Sequence, residues 1–151
     1  MSSLANRSHL TAIARSRPSA PMAFLNKDHR LVGRTLDYGC GRGVDVDAFG
    51  MDGYDPHYSP KRPEGLYDTI VCNYVLNVVT RNEQEQILRD IRGLLADNGI
   101  AYVTVRRDIT KNYRTKNSVQ RVVRLPYPVI RETLGYCIYY VTKYEDGMFT
   151  P

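Results

Sequence analysis

Two dense apolar runs flank one well-marked helix in the middle of the chain, and that arrangement restricts the fold more than any other feature. The run YDTIVCNYVLNVV, residues 67–79, is crowded with β-branched and aromatic residues, the composition of a strand buried on both faces. Periodicity alone does not separate such a run from a helix. Its flanks do: Pro63 and Gly65 precede it, and a helix start follows it. Thr80 and Glu83 have the spacing of a capping box, in which hydroxyl and carboxylate satisfy free amides at a helix end. Ile87, Leu88, Ile91, Leu94 and Leu95 then recur on one helical face. Asp97-Asn98-Gly99 reads as a left-handed stop, and IAYVTV, residues 100–105, as a second buried strand.

The same alternation extends to either side. Ser19 caps an expected helix over residues 21–31, with proline in its first turn. Residues 34–38 read as a short buried strand, 44–49 as a short helix, and 51–54 as a strand stopped by Asp55-Pro56. SPKRPEG, residues 59–65, is turn material. Further strands are expected in VVRLP, residues 122–126, and YCIYYVTKY, residues 136–144, joined by a short helix over 128–134. The expected class is α/β: a largely parallel sheet with a C-terminal antiparallel strand, in a single domain over residues 1–151. Residues 1–20 form a polar, basic N-terminal segment, and residues 106–131 a second basic stretch.

Several classes of function are disfavoured. No apolar run approaches the ~20 residues that span a bilayer, and the Arg- and Ser-rich start has no uninterrupted apolar core, so neither membrane insertion nor a secretory signal is expected. Cys40, Cys72 and Cys137 are odd in number and far apart, and His9, His29 and His57 are equally scattered. That favours a reducing cytoplasm over a disulfide framework, and no metal site is expected.

The chemistry concentrates in LDYGCGRG, residues 36–43, where three glycines fall at alternate positions behind an acidic residue. A strand that ends in glycines and enters a helix is a nucleotide-binding device: the backbone approaches the ligand closely and the helix start offers free amides. The dinucleotide pattern Gly-x-Gly-x-x-Gly is not met, because its third glycine would fall at Val44. The spacing is Asp37-x-Gly39-x-Gly41-x-Gly43 instead.

That spacing resembles motif I of class I S-adenosylmethionine (SAM)-dependent methyltransferases, and three more segments stand in that family's order. Gly53-Tyr54-Asp55 is similar to the acidic end of its second strand; residues 67–79 resemble its fourth-strand motif, FDxIxxxxVLEHV; and residues 94–104 resemble LLKPGGxLxxT. More narrowly, TAIARSRPSAP, DYGCGRG, GYDPHYSP and NYVLNVV resemble short methyltransferases of phages and of DNA phosphorothioation gene clusters. The resemblance implies a Rossmann-like methyltransferase sheet with SAM, and its product S-adenosylhomocysteine (SAH), at the carboxyl edge. Asp37, Tyr38, Gly39, Cys40, Gly41 and Gly43 would pass the methionine portion. Asp55 and Pro56 would take the ribose, and Cys72, Asn73 and Tyr74 would line the methyl-donor side. Both cysteines are expected as buried fillers rather than nucleophiles.

The sequence departs from the family in ways that carry expectations of their own. Only about a dozen residues, three of them proline, separate Asp55 from the next strand, too few for the usual helix, strand and helix. The sheet is therefore expected to lack that unit, leaving Tyr54, His57 and Tyr58 near the adenine. Asn77 and Val78 stand where relatives often carry Glu-His. Neither an Asp/Asn-Pro-Pro-Tyr motif nor a Pro-Cys pair is present, so amino-directed and cytosine-C5 methylation of DNA are not indicated. A general base is optional for an activated methyl donor; His57 is the candidate beside the cofactor edge.

The net charge is +5, and its distribution is uneven. From residue 106 to 131 there are eight Lys or Arg and one acid, Asp108. Arg106, Arg107, Lys111 and Arg114, with Arg15 from the N-terminal segment, would form a basic lip suited to a phosphate-bearing acceptor. DNA or RNA is thus one candidate acceptor, a small molecule or a protein another. A non-catalytic SAM-binding or SAM-depleting module would carry the same motifs.

Overall fold

The computed structural model describes residues 17–144. In chain order these form α1 (Ala20–Lys27), β1 (Thr35–Tyr38), α2 (Val44–Phe49), β2 (Asp52–Tyr54), β3 (Tyr67–Asn73), a 3-10 turn (Leu76–Val78), α3 (Arg81–Leu94), β4 (Leu95–Arg106), β5 (Tyr113–Arg114), β6 (Val119–Gln120), β7 (Val129–Glu132) and β8 (Tyr136–Thr142). Six strands make one sheet in the order β2-β1-β3-β4-β8-β7, and β5 and β6 make a separate hairpin. β2, β1, β3 and β4 are parallel; β8 runs antiparallel to β4, and β7 antiparallel to β8. This is the expected Rossmann-like sheet with its C-terminal antiparallel strand.

Period-two alternation divides the buried residues between the two faces. Leu36, Ile70, Cys72, Val103 and Cys137 pack with Leu88 and Ile91 of α3 on one side. Val71, Tyr102 and Ile138 pack with Met22 and Leu25 of α1 and with Met51 on the other. The capping box forms as the spacing requires: Glu83 N–H donates to the Thr80 hydroxyl at 3.2 Å and Thr80 N–H to the Glu83 carboxylate at 2.9 Å.

The missing unit after β2 is also as expected: β2 is a sheet edge, and no helix or strand occupies residues 55–66. A strap replaces it. Arg62 makes a bidentate pair with Asp90 of α3 at 2.9 and 2.8 Å, and its guanidinium lies 4.9 Å from the Tyr54 ring centroid. The Tyr38 hydroxyl donates to the same carboxylate, and the Tyr38 and Tyr54 rings pack 5.1 Å apart. Burial pushes the Asp90 carboxyl upward, but its bonds from Arg62 and Tyr38 outweigh burial and hold it below its usual range. The stability from this depressed carboxyl is therefore present above the unfolded-state value near 4 and is lost as pH falls through the folded one. Arg62 is half exposed, so Arg62→Ala should cost only about 1 kcal/mol. Urea unfolding at pH 7 checks this, and the difference from wild type should shrink once the pH is low enough to protonate Asp90.

Elsewhere the local expectations need correction. The run over 67–79 is not one strand: it breaks at Tyr74, whose φ of 63° is left-handed, and continues as the 3-10 turn. Gly99 is not a left-handed stop. β4 begins at Leu95, directly after α3, with an irregular register between Tyr67 and Thr69 of β3, and the Lys143 ammonium closes the helix by donating to the carbonyls of Arg92 and Leu95. α1 ends at Lys27 rather than 31, and the Ser19 hydroxyl does not cap it. Residues 122–126 form no strand, and the helix expected over 128–134 is instead β7. The Thr133 hydroxyl accepts the amides of Gly135 and Tyr136, closing a tight hairpin into β8 where an isolated helix had no apolar face to stand on.

Candidate active site

The carboxyl ends of β1, β2, β3 and β4 bring the sequence motifs to one edge. Beyond Tyr38 the chain turns through Gly39, Gly41 and Gly43, all left-handed, with φ of 84°, 54° and 84°. The amides of Gly39 and Cys40 both donate to the Tyr54 carbonyl, at 2.6 and 3.0 Å, so the loop is tied to the end of β2. Asp55 completes the tie. One of its carboxylate oxygens accepts the Gly41 amide at 3.0 Å; the other accepts the amides of His57 and Tyr58 at 2.9 and 3.1 Å. Three directed donors thus fix the orientation of this carboxylate, leaving part of its acceptor capacity for a ligand.

On the opposite side of the loop, α2 is locked to the start of α1. The Asp45 carboxylate accepts the Ser19 amide at 3.0 Å and the Ser19 hydroxyl at 3.1 Å, with both residues buried. This contact is where the Ser19 hydroxyl goes in place of a helix cap. It also brings the chain entering α1 beside the glycine loop.

β1, β3 and β4 present Asp37, Asn73 and Thr104 at the same end of the sheet. Asp37 is buried and registers with Val71; Asn73 registers with Thr104. The amide of Tyr74 donates to the Thr104 carbonyl at 2.9 Å, which holds the left-handed turn. Both amide atoms of Asn73 and the hydroxyl of Thr104 are buried without a hydrogen-bond partner. The left-handed Tyr74 thus follows directly on these unpartnered polar atoms.

Two thiols lie near the loop, Cys40 partly exposed and Cys72 buried. Burial, then the negative charges of Asp37 and Asp55, push Cys40 up to about 12, and burial followed by Asp37 pushes the wholly buried Cys72 upward as well. Cys72 is buried as expected, whereas Cys40 is only partly buried and borders the groove beside the loop. Tyr38 turns its ring to the α3 side of the sheet, toward Asp90, so only its backbone faces the loop. His57 and Pro56 are exposed above β2. The His57 ring lies 4.6 Å from Tyr58, edge to face, and β2 is two strands from β3, about 10 Å away. An open groove of about 400 Å³ borders the loop, lined by Cys40, Gly41, Arg42, Gly43, Val46, Gly53, Tyr58 and Ser59. The Arg42 guanidinium stands 5.5 Å over the Tyr58 ring at its rim.

The structure divides the basic stretch into paired and unpaired members. Arg106 is paired with Asp108 and bonded to the Tyr113 hydroxyl, and Arg107 is packed inward against Glu132, the Val123 carbonyl and the Tyr139 hydroxyl. Neither is a free member of a lip. Lys111, Arg114, Lys116 and Arg124 remain exposed and make no ion pair with any described residue. Arg15 lies outside the described residues.

One organising residue reads in the sequence only as a departure from the family pattern. Asn77 is fully buried and ties three segments together. Its side-chain carbonyl accepts the Arg106 amide at 2.9 Å, its amide donates to the Arg121 carbonyl at 2.8 Å, and its backbone carbonyl accepts the Arg121 amide at 2.7 Å. The sequence signal is its place in an otherwise apolar run, where a buried amide must find partners.

Comparison with known proteins supplies the family and bears out the fold. A family model described as "Methyltransferase domain" matches residues 10–144. No curated protein matches. Among solved structures, the chain resembles a 1,6-didemethyltoxoflavin-N1-methyltransferase from Burkholderia thailandensis, crystallised with its substrate and SAH, at 16% identity and TM-score 0.64 over 80% of this chain and 76% of that one. It also resembles DhpI in complex with SAM and HEP, at 14% identity and TM-score 0.61 over 93% of this chain and 98% of that one. Of CalS10, an amino pentose methyltransferase from Micromonospora echinaspora, it spans only 47%, at 17% identity and TM-score 0.43.

Proposed function

Because the chain belongs to the methyltransferase domain family, we propose that it moves a methyl group from SAM to an acceptor in nucleic acid. The observation that carries the cofactor half of this reading is the junction of the glycine loop with Asp55 and Asn73. A methyl side chain added at Gly43 would meet nothing within 4 Å, so open space stands where a ligand would pass the backbone. Asp55 is held by three amides in an orientation that leaves acceptor capacity for ribose hydroxyls, and the Asn73 amide is unmet. These residues fit SAM.

When bound, SAM supplies a methyl group already activated on a sulfonium. The protein then has to orient, dehydrate and align. Asp55 would fix the ribose, the backbone of Gly39, Cys40, Gly41 and Gly43 would let the methionine portion lie close, and buried Asp37 would oppose its amine. Cys72 and Tyr74 would wall the donor side. His57, two strands away, suits contact with the nucleoside better than proton transfer at the methyl, and Pro56 holds that turn.

The acceptor half rests on charge. The β5–β6 hairpin and the segments on either side of it, which follow β4 in the chain, expose Lys111, Arg114, Lys116 and Arg124 without acidic partners among the described residues. The narrower resemblance to enzymes of phages and DNA phosphorothioation clusters points the same way. A small-molecule acceptor, as named for the toxoflavin enzyme, would have little use for such a rim. Transfer of tritiated methyl from SAM to DNA, RNA and the small-molecule fraction of a cell extract tests the reading. Label in nucleic acid, with binding that weakens steeply as salt rises, is expected. Label confined to small molecules would overturn the acceptor assignment, and SAM binding without any transfer would mark a binding module.

A further inference from the structure

The β5–β6 hairpin carries one aromatic side chain, Tyr113, and leaves it 38% exposed. An exposed tyrosine is ordinary, but three features set this one apart. Its ring is held in place. The hydroxyl accepts from the Arg106 guanidinium at 3.1 Å, and that guanidinium is itself clamped by the Asp108 carboxylate at 2.8 and 2.7 Å. The hairpin beneath it is braced. Thr115 N–H donates to the Ser118 carbonyl at 2.8 Å across the tip, and the Asn112 side chain accepts the Val122 amide at 2.8 Å across the base. Asn77 moors that base to the carboxyl end of β4, because it accepts the Arg106 amide and donates to the Arg121 carbonyl. The surroundings, finally, are cationic: Lys111, Arg114 and Lys116 are exposed on or beside the hairpin, and no acidic residue lies between Asp108 and Glu132.

We propose that this hairpin is an arm for single-stranded nucleic acid: the Tyr113 ring is the platform on which one unpaired base stacks, and Lys111, Arg114 and Lys116 meet the phosphates beside it. It rests on the nucleic-acid acceptor proposed above and narrows that acceptor to an unpaired strand. Cations alone would meet any phosphate backbone, duplex or single. An aromatic face set among them serves only bases that are free to leave their neighbours, because the faces of duplex bases are already stacked on one another. The clamp from Asp108 through Arg106 has a purpose on this reading: a ring fixed beforehand loses less freedom when a base arrives. Arg106 ends β4 and touches Tyr113, so a strand laid on the platform passes the carboxyl edge of the sheet, where the glycine loop and Asp55 also lie.

Fluorescence anisotropy of the SAH-loaded protein with a mixed-sequence single-stranded oligonucleotide, as DNA and as RNA, tests this. For the strand that wild type binds more tightly, Tyr113→Ala and Tyr113→Leu should each weaken binding about tenfold, because neither offers an aromatic face. Tyr113→Phe keeps the ring, gives up the bond from Arg106, and should stay within about threefold of wild type. Tyr144→Ala removes a tyrosine that is 65% exposed beyond the opposite end of β4, and should leave binding unchanged. All four should bind SAH as wild type does. Salt separates the ring from the cations: Arg114→Gln should lower the salt slope by about 0.7, whereas Tyr113→Ala should not alter it. The proposal is overturned if wild type binds no single strand or binds a duplex of the same sequence as tightly, if Tyr113→Ala binds as wild type does, or if Tyr113→Phe or Tyr144→Ala loses as much as Tyr113→Ala. Methyl label confined to small molecules would instead contradict the acceptor proposed above, and failure of wild type to bind SAH would contradict its cofactor.

Discussion

Asp55→Ala should lower affinity for SAH by about a hundredfold or more, the largest single loss expected from any surface-accessible residue of the chain. Two effects add. The first is direct: a carboxylate accepting two ribose hydroxyls makes charge-assisted bonds, each worth roughly 1.5–3 kcal/mol. The second is architectural. The same carboxylate accepts the amides of Gly41, His57 and Tyr58, so its removal frees the glycine loop from the turn after β2. The trimmed fold has no further helix and strand to hold that turn, which then relies on Arg62 and the Asp55–Ser59 backbone bridge. Unfolding stability should fall by about 2 kcal/mol. Asp55→Asn, which keeps one acceptor oxygen, should lie between, and calorimetry on the three proteins sets the order.

Gly39→Ala and Gly43→Ala should separate folding from binding, although both glycines have the same φ of 84°. At Gly39 an added methyl would sit 2.4 Å from Cγ2 of Val75, in the turn that follows Asn73 and Tyr74. Backbone strain and overpacking then act together, with an expected cost of about 2–4 kcal/mol and loss of SAH binding. Gly39→Ala combined with Val75→Ala removes the clash and should recover part of the stability. At Gly43 nothing stands within 4 Å of the added methyl. Only the left-handed backbone is penalised, about 1 kcal/mol, while the methyl occupies space assigned to the ligand. That variant should therefore fold nearly as well as wild type and bind SAH at least tenfold more weakly.

The parts of the fold that were legible in the sequence are those where a local rule and the tertiary structure agree. The capping box of Thr80 and Glu83, the glycines after Tyr38 and the proline-rich shortfall after Asp55 each have one physical reading, and each is present in the structure. The misread parts are those where a distant partner decides. Ser19 is a good cap residue, yet its hydroxyl is taken by Asp45 across the sheet edge. Asp97-Asn98-Gly99 looks like a helix stop, but Lys143 closes that helix from the far end of the chain. Residues 128–134 lack a strand pattern and become one because β8 offers an open edge. In the basic stretch, charge was visible but pairing was not: only Asp108 lies within the run, whereas Glu132 and Tyr139, which bury Arg107, come after it. The unmet amide of Asn73 and side-chain oxygen of Gln120 were likewise invisible, since an unsatisfied atom is a property of its surroundings.

The central claim is that the loop of residues 39–43, with Asp55 beside it, is built around a sulfonium nucleoside. Titration calorimetry of the purified chain with SAH, repeated on Asp55→Ala, tests it most directly. The account predicts one-to-one binding with a dissociation constant in the micromolar range, accompanied by a rise in melting temperature, and both lost in the variant. Absence of heat with wild type, or equal binding by the two proteins, would contradict it.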